Sequence, residues 1–383
     1  MDFTLNETQR MVRDTARRFA ESELRESATE RDVTEEFPTE ELRQMAELGL
    51  MGVNISAEYG GSDAGVVAYS LAITEVARAD ASVGVTMAVN NMVGEVIEAF
   101  GTEAQKEEHI PKLTSGEYTA GSFCLSEPGA GSDPSSMRTR ARRTDDGWVL
   151  DGSKAWISSG EHAGVYVVWA RTEMPDGGDR ISAFLVDPET DGITVGKHED
   201  KMGQRGSSTV SLTFEEVEIP EDALLGELGD GFKIAMVALD GGRIGVGSLA
   251  LGLGKEALSL ALDYAQEREQ FDRPIIDFQG IQFKLADMAT ELDAARLLCL
   301  RAAWMKERGE RRFTRQASMA KLYATEAAWR ACDEAVQIFG GYGYTREYVV
   351  ERLLRDVRVT RIYEGTNEIQ RVVIARSLRE EGA

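Results

Sequence analysis

Hydrophobic positions fall into three regimes along the chain. From residue 1 to about 118 their spacing is helical: Met11, Val12, Ala16, Phe19 and Ala20 follow a 3.6-residue period. Ala64–Ala79 and Val83–Phe100 are long apolar-rich stretches, each ending near a turn or Gly101, and they predict buried helices. Thr39 follows Pro38 and precedes Glu40 and Glu41, which predicts a helix start. From about 119 to 226 the pattern becomes β. Arg138–Arg143, the turn Asp145-Asp146-Gly147 and Trp148–Leu150 read as strand, turn, strand. Val165–Ala170, Ile181–Val186 and Thr209–Phe214 are further strands, rich in β-branched and aromatic residues. Clusters such as Asp176-Gly177-Gly178-Asp179 separate them. From about 227 the helical pattern returns, and Ile281, Leu285, Met288, Leu292, Ala295 and Cys299 form one apolar stripe on a long helix. The plan is helix domain, β domain, helix bundle, without an internal repeat or a flexible linker.

Composition narrows the class. A chain of 383 residues, 42% hydrophobic, has material for two or three domains. Cys124, Cys299 and Cys332 are few, odd in number and far apart, which argues against a secreted disulfide framework and for a reducing cytoplasm. The N-terminal segment carries acids early and has no apolar core, so it reads as a mature helix and not a signal peptide. No stretch is expected to span or insert into a bilayer. The formal charge of −23 repels phosphate backbones and excludes nucleic acid as a natural partner. Abundant acid with little lysine beside arginine suggests a protein kept soluble in high salt; a host that favours arginine codons gives the same composition. His109, His162 and His198 have no His or Cys neighbour at ligand spacing, so no metal site is expected.

Several glycine clusters invite a nucleotide reading. Gly252-Leu253-Gly254-Lys255 fails as a phosphate loop, because Glu256 follows the lysine and Leu249 stands where a glycine is required. Gly245 and Gly247 lie in a helical context, not after a strand, so close helix packing explains them better. Phe123–Asp133 is different: it leaves a strand and enters a Pro-Gly turn with small hydroxyls, a loop that exposes N–H groups to an anionic or polar ligand. Taken alone it reads more readily as an ordinary β-turn. Trp156, Ile157 and Ser158 could cover a flat aromatic ligand and hydrogen-bond its edge, or form ordinary core. Glu364 stands between Tyr363 and Gly365-Thr366 in a break between helical segments, where Thr366 is a candidate N-cap. The bland alternative there is a capping loop with a solvated acid.

Together and in order, seven segments resemble the acyl-CoA dehydrogenase family: Glu127–Asp133, Trp156–Ser158, Arg205–Thr209, Asp240–Arg243, Arg268–Phe271, Gln337–Tyr344 and Tyr363–Arg371. The resemblance covers nearly the whole chain and is nearest to members for short straight or branched acyl groups. It implies an α+β fold with an N-terminal helical domain at 1–118, a β-barrel-like middle domain at 119–226 and a C-terminal four-helix bundle at 227–383. It implies one FAD. Phe123, Leu125, Ser126, Gly131 and Ser132 would form the flavin-binding strand end, with Ser132 also near substrate. Trp156, Ile157 and Ser158 would pack on and hydrogen-bond the flavin ring. Arg268, Phe271, Gln279, Gln337, Gly340 and Gly341 would hold the FAD pyrophosphate and adenosine across a subunit interface, and Thr366 and Glu368 would also line FAD. Asp240, Arg243 and Gly365 would contact the acyl-CoA.

The resemblance makes Glu364 the catalytic base. Some relatives carry the base on the helix of Asp240–Arg243, but the corresponding position here is Gly242. Removing a proton next to a thioester needs a positioned base and stabilisation of charge on the carbonyl oxygen. Burial by an apolar chain raises a carboxyl pKa and suits it to that task. The implied product is a trans-2-enoyl-CoA, the implied electron acceptor electron-transferring flavoprotein, and the implied assembly a homotetramer. The alternatives are an acyl-CoA oxidase, although oxidases of this fold usually carry a longer C-terminal extension, and a flavin monooxygenase outside β-oxidation on the same scaffold, although those lack the loop glutamate.

Overall fold

Polar caps decide where the N-terminal helices begin. Asn6 accepts from the Gln9 amide while the Gln9 side chain accepts from the Asn6 amide, a reciprocal cap on Glu7–Phe19. Thr102 and Gln105 repeat the device on Glu103–Ser115. Asp80 caps Ala81–Phe100 by accepting from the amides of Ser82 and Val83, so that helix begins two residues before the apolar stretch expected from sequence. Thr39 is the first residue of helix Thr39–Glu47, which therefore starts where expected. Its cap position is Pro38, however, and no side chain caps it. The computed structural model describes residues 4–310 and 313–381.

Gly65–Ala79 and Ala81–Phe100 are buried on nearly all sides, as their uniformly apolar sequences require. They pack against Gly231–Glu267, a helix of 37 residues whose glycines allow close approach. A Cβ on Gly252 would lie 2.4 Å from the Thr74 carbonyl, and one on Gly254 would lie 3.1 Å from the Ala328 Cα. Those glycines serve packing, not phosphate. This helix is long and apolar enough to cross a membrane, contrary to the sequence expectation. Yet 78% of its apolar window is buried within the fold, which makes it a core helix.

The middle of the chain forms an eight-stranded sheet. Its central strand, Ala163–Glu173, pairs antiparallel with Asp179–Val186 and parallel with Ala120–Cys124. Both faces of this strand are covered. Tyr166, Val168 and Ala170 enter the sheet's own core with Leu150, Phe184 and Phe214, while Val165, Val167 and Trp169 join the helical core. The Trp169 indole donates to the Gly231 carbonyl at 2.7 Å and so ties the sheet to the start of the long helix.

The C-terminal part assembles Gly231–Glu267 with Gln279–Glu307, Thr314–Phe339 and Asn367–Glu381, supplemented by Val349–Arg358. On Gln279–Glu307 the residues Leu285, Met288, Leu292, Ala295 and Cys299 are buried as one stripe, with Ile281 half-buried at its end.

Candidate active site

Glu364 sits in the loop between Val349–Arg358 and Asn367–Glu381, in a left-handed conformation with φ 55°. Gly365 follows at φ 84°. The glycine adopts this region freely; the glutamate does not, so its surroundings must hold it. Lys321 Nζ donates to the Gly365 carbonyl at 3.0 Å and to Asn367 Oδ1 at 2.9 Å. Gln370 Nε2 donates to the Glu364 and Gly365 carbonyls at 3.1 and 2.9 Å. Tyr363 Oη accepts from Gln204 of the sheet domain at 3.3 Å. Thr366 Oγ1 accepts from the Ile369 amide at 3.3 Å, the N-cap its position suggested.

The carboxylate is turned inward. Its Oε2 is buried and has no hydrogen-bond partner. A Cβ on Gly242 would lie 2.6 Å from that oxygen and 3.0 Å from Met92 Sδ, so the absence of a side chain at 242 makes room for the acid. Burial pushes the Glu364 carboxyl up to about 7, against the opposing charges of Arg243 and Lys321. Lys321 is fully buried, and burial brings it down to about 7 even with Glu364 nearby. Arg243 and Asp240 are engaged with each other at 2.5 Å, and Thr314 also donates to Asp240. Burial raises Asp240 despite Arg243. The backbone N–H of Glu364 makes no hydrogen bond among the described residues. An unpaired carboxylate that titrates near neutrality, beside an unpaired N–H, can take a proton from carbon while the N–H receives a developing oxyanion.

A second group lies at the end of strand Ala120–Cys124. Phe123 packs on Trp169 with ring centroids 4.2 Å apart, and the Leu125 and Ser126 carbonyls accept from Lys154 Nζ and the Ala155 amide. Beyond them the loop opens: a Cβ on Gly129 or Gly131 would meet nothing within 4 Å, and Ser132 is exposed. Pairing in Gly147–Ser158 shifts register between Lys154 and Ile157. The irregularity throws Trp156 outward at φ 63° and leaves it 64% exposed, so it is not a core tryptophan. Ile157 departs from the expectation. Its side chain is buried in the sheet's own core, so only its main chain is available to a flavin. Ser158 uses its carbonyl to accept from Ser122 at 2.8 Å and is half-buried, and Ser159 Oγ beside it is buried without a partner. Glu368 is exposed on the first turn of the last helix.

The third group surrounds a cavity of about 460 Å³ lined by Arg268, Gln270, Phe339, Gly340, Gly341 and Tyr342. A tight hairpin follows Arg268, with Phe271 and Asp272 at φ 54° and 59° and Phe271 87% exposed. A Cβ on Gly340 or Gly341 would meet nothing within 4 Å. Gln279 and Gln337 are exposed and do not line the cavity. None of the strand-end or base-loop residues lines it either.

These features fit a flavin dinucleotide. An exposed tryptophan, open glycine backbone and an orphaned buried hydroxyl suit a planar polar ring. A cavity with an arginine, aromatic rings and bare glycines suits a phosphorylated adenosine. Sequence reasoning missed Lys321, Asn367 and Gln370, which build the base's surroundings. Lys321 did leave a signal: it is a lone lysine on the alanine face formed by Ala317, Ala320, Ala324 and Ala328.

Known proteins share this chain's sequence pattern and fold. Family models described as the N-terminal, middle and C-terminal domains of acyl-CoA dehydrogenase match residues 6–117, 122–217 and 229–379. The chain belongs to the acyl-CoA dehydrogenase family and is an oxidoreductase of that class. It is 49% identical over 373 residues to the mitochondrial short-chain specific acyl-CoA dehydrogenase of Bos taurus, covering 97% of this chain and 90% of that protein. It is 48% identical to an acyl-CoA dehydrogenase of Bacillus subtilis, with 98% of each covered. The butyryl-CoA dehydrogenase structure from Megasphaera elsdenii superposes with a TM-score of 0.96 at 44% identity, covering 99% of this chain and all (100%) of that one. A chain from a structure concerning the electron-transferring flavoprotein of Acidaminococcus fermentans also has a TM-score of 0.96, at 44% identity, with 99% of each chain covered.

Proposed function

We propose that this protein converts a short-chain acyl-CoA to its trans-2-enoyl-CoA, with Glu364 removing the α-proton. The observation that carries the reading is the Glu364 Oε2: buried, without a hydrogen-bond partner, and facing the space that Gly242 leaves open. The names of the Bos taurus and Megasphaera elsdenii relatives support the short acyl class.

FAD, when bound, supplies the acceptor for the β-hydrogen and its electron pair. Trp156, the open loop at Gly129–Ser132 and the main chain of Ile157 and Ser158 would hold its ring. Glu364 takes the α-proton on its free oxygen, and its own amide N–H stabilises charge on the thioester carbonyl. Arg243 and Lys321 keep the carboxyl from rising further, so a useful fraction is ionised near neutral pH. Lys321 and Gln370 fix the loop, and with it the direction of the carboxylate.

Arg268, Phe271, Gly340 and Gly341 would grip the adenosine end of the FAD held by a second copy, giving a homotetramer built as a dimer of dimers. An active, FAD-saturated monomer in light scattering would refute this. The electrons would leave to electron-transferring flavoprotein. Hydrogen peroxide formed as fast as acyl-CoA turns over would favour an oxidase instead.

Glu364→Gln tests the core of the reading. The amide keeps the side chain's shape and cannot accept the proton, so FAD should stay bound while anaerobic flavin reduction falls by about 10²–10⁴-fold. In the parent, reduction should accelerate as pH rises through about 7, where the base loses its proton. Near-parent reduction by the variant in rapid-mixing absorbance would remove Glu364 from the mechanism.

A further inference from the structure

Glu364 lies at the seam between the helices Gly231–Glu267 and Ala81–Phe100, against Gly242 of one and Met92 of the other, and the two ends of that seam differ in polarity. At Gly241 a Cβ would lie 2.5 Å from Lys306 Nζ and 3.1 Å from Glu95 Oε2. Lys306 and Glu95 form an ion pair at 2.6 and 2.7 Å that is one-fifth exposed. That is the polar end. One turn further along the long helix, a Cβ on Gly245 would lie 2.5 Å from Tyr69 Oη and 3.6 Å from the Ala88 Cβ. That end is buried, with Tyr69 4% and Ala88 8% exposed. Ala88 and Met92 share a face of their helix, being four residues apart, so the Glu364 level and the Tyr69 level belong to one slot. Electrostatics agrees: burial raises the Tyr69 phenol well above its usual value, and the charges of Glu95 and Glu364 add to the effect.

Tyr69 cannot easily swing away. Its helix, Gly65–Ala79, is fastened to the long helix by the Ser70–Ser248 hydrogen bond of 2.7 Å and by Thr74 donating to the Ser248 carbonyl at 3.2 Å. The Tyr69 hydroxyl has no hydrogen-bond partner among the described residues, so no bond holds it out of the slot. An apolar acyl tail prefers the buried end and the charged carrier prefers the ion-paired end. Gly242 and Gly245 are three residues apart, about 4.5 Å of helix axis, which leaves room for only a few methylene groups beyond the base.

We propose that Tyr69 is the end wall of the acyl slot and sets the length of acyl chain the enzyme accepts. The proposal rests on the reading of Glu364 as the base for an acyl thioester, and it assigns the short-chain limit to one side chain. Gly245 is its counterpart: without a side chain there, the phenol can sit back against the long helix.

Two variants test it in opposite directions. Tyr69→Ala opens the wall, and Gly245→Ala drives the phenol toward the base. Each is compared with the parent in flavin reduction by straight acyl-CoAs of four to ten carbons. Calorimetric binding of the matching trans-2-enoyl-CoAs is measured alongside. Tyr69→Ala should raise the eight-to-four-carbon ratio of kcat/KM at least about tenfold, chiefly through KM, with the binding ratio moving alike. Gly245→Ala should lower the six-to-four-carbon ratio by about tenfold. It removes no core ring, so it decides the matter even if Tyr69→Ala does not fold. Ratios within about twofold of the parent would overturn the assignment. A parent that binds the enoyl series but is reduced by no acyl-CoA would sink the dehydrogenation reading instead, while the binding ratios still decide on Tyr69.

Discussion

Glu127 in the sheet domain and Glu364 in the base loop are both carboxylates with a buried lysine nearby, and the fold treats them in opposite ways. Glu127 accepts from the Arg138 amide at 2.6 Å, the Thr139 amide at 2.9 Å and Lys154 Nζ at 2.9 Å. Burial alone would raise it, but contacts with Thr139, Lys154 and Arg138 outweigh that and hold it below the usual carboxylate range. Lys321 instead spends its hydrogen bonds on the Gly365 carbonyl and Asn367, leaving Glu364 Oε2 bare. One lysine neutralises its acid; the other positions the backbone and leaves the acid reactive. A buried Lys–Glu neighbourhood is therefore a structural device or a chemical one according to where the lysine's protons point.

The largest expected effect breaks the first of these neighbourhoods. Glu127→Gln leaves Lys154, 0% exposed, without its counter-charge. Removing one partner of a buried pair costs about 3–5 kcal/mol, so urea or thermal unfolding should show a loss of that size. The strand-end loop should loosen as well, because Glu127 joins it to Arg138 and Thr139. A variant as stable as the parent would mean that the pair does not hold the loop.

Lys321→Met breaks the second. The base loop loses a fastening at Gly365, although Gln370 still donates there. A displacement of the base by about 1 Å is enough for roughly a 10²-fold fall in flavin reduction. Folding should suffer less than in Glu127→Gln, since Met leaves no buried cation, and Gln370 and Thr325 still donate to the Gly365 and Asn367 oxygens that Lys321 releases. Parent-like reduction kinetics would show that the loop holds its shape without the lysine.

A smaller effect concerns Glu364 itself and has the opposite sign for stability. Its carboxyl titrates near the ordinary 4.5 when unfolded and near 7 when folded, so the native state holds the proton more tightly. The stability this confers is complete below pH 4.5 and is lost as pH rises through 7. Glu364→Gln cannot ionise and should escape the loss. At pH 8 it should be more stable than the parent by about 1–3 kcal/mol, with the gap closing toward acid. Equal unfolding curves at pH 8 would mean that the carboxylate finds solvent when charged.

The sequence showed the elements that rest on local pattern. The helical stretches near 64–79 and 83–100, the apolar stripe from Leu285 to Cys299 and the strands around Val165 and Thr209 all follow from periodicity. The cap at Asp80 was missed because an acidic cap carries no hydrophobic signal, and its helix was begun too late. The family resemblance placed Ile157 beside a flavin, but the alternation past the irregularity at Lys154–Ile157 sends its side chain to the opposite face. Glu364 stood out through the family resemblance, since Tyr, Gly and Thr around it in sequence fit a capping loop as well. Lys321 and Tyr69 did not, because each meets the site only through helix packing across 43 and 295 positions of chain, respectively.

The smallest expected effect separates both buried neighbourhoods from the surface. The chain carries a net charge of −23, so exposed acids repel one another over its surface. The screening length falls from about 10 Å at 0.1 M salt to about 3 Å at 1 M. Potassium chloride should therefore raise the melting temperature. Exposed pairs such as Arg43–Glu40 and Arg142–Glu216 weaken under the same screening, but pairs of this kind contribute little, so relief of repulsion should win. The pair Glu127–Lys154 is out of reach of salt. The deficit of Glu127→Gln should then be the same at 0.1 M and 1 M, while parent and variant rise together. A melting temperature that stays flat or falls would show that the acidic surface is not an adaptation to saline conditions. A deficit that shrinks by half in high salt would show that ions reach the pair, and that Glu127 is solvated like a surface acid and no longer the opposite of Glu364.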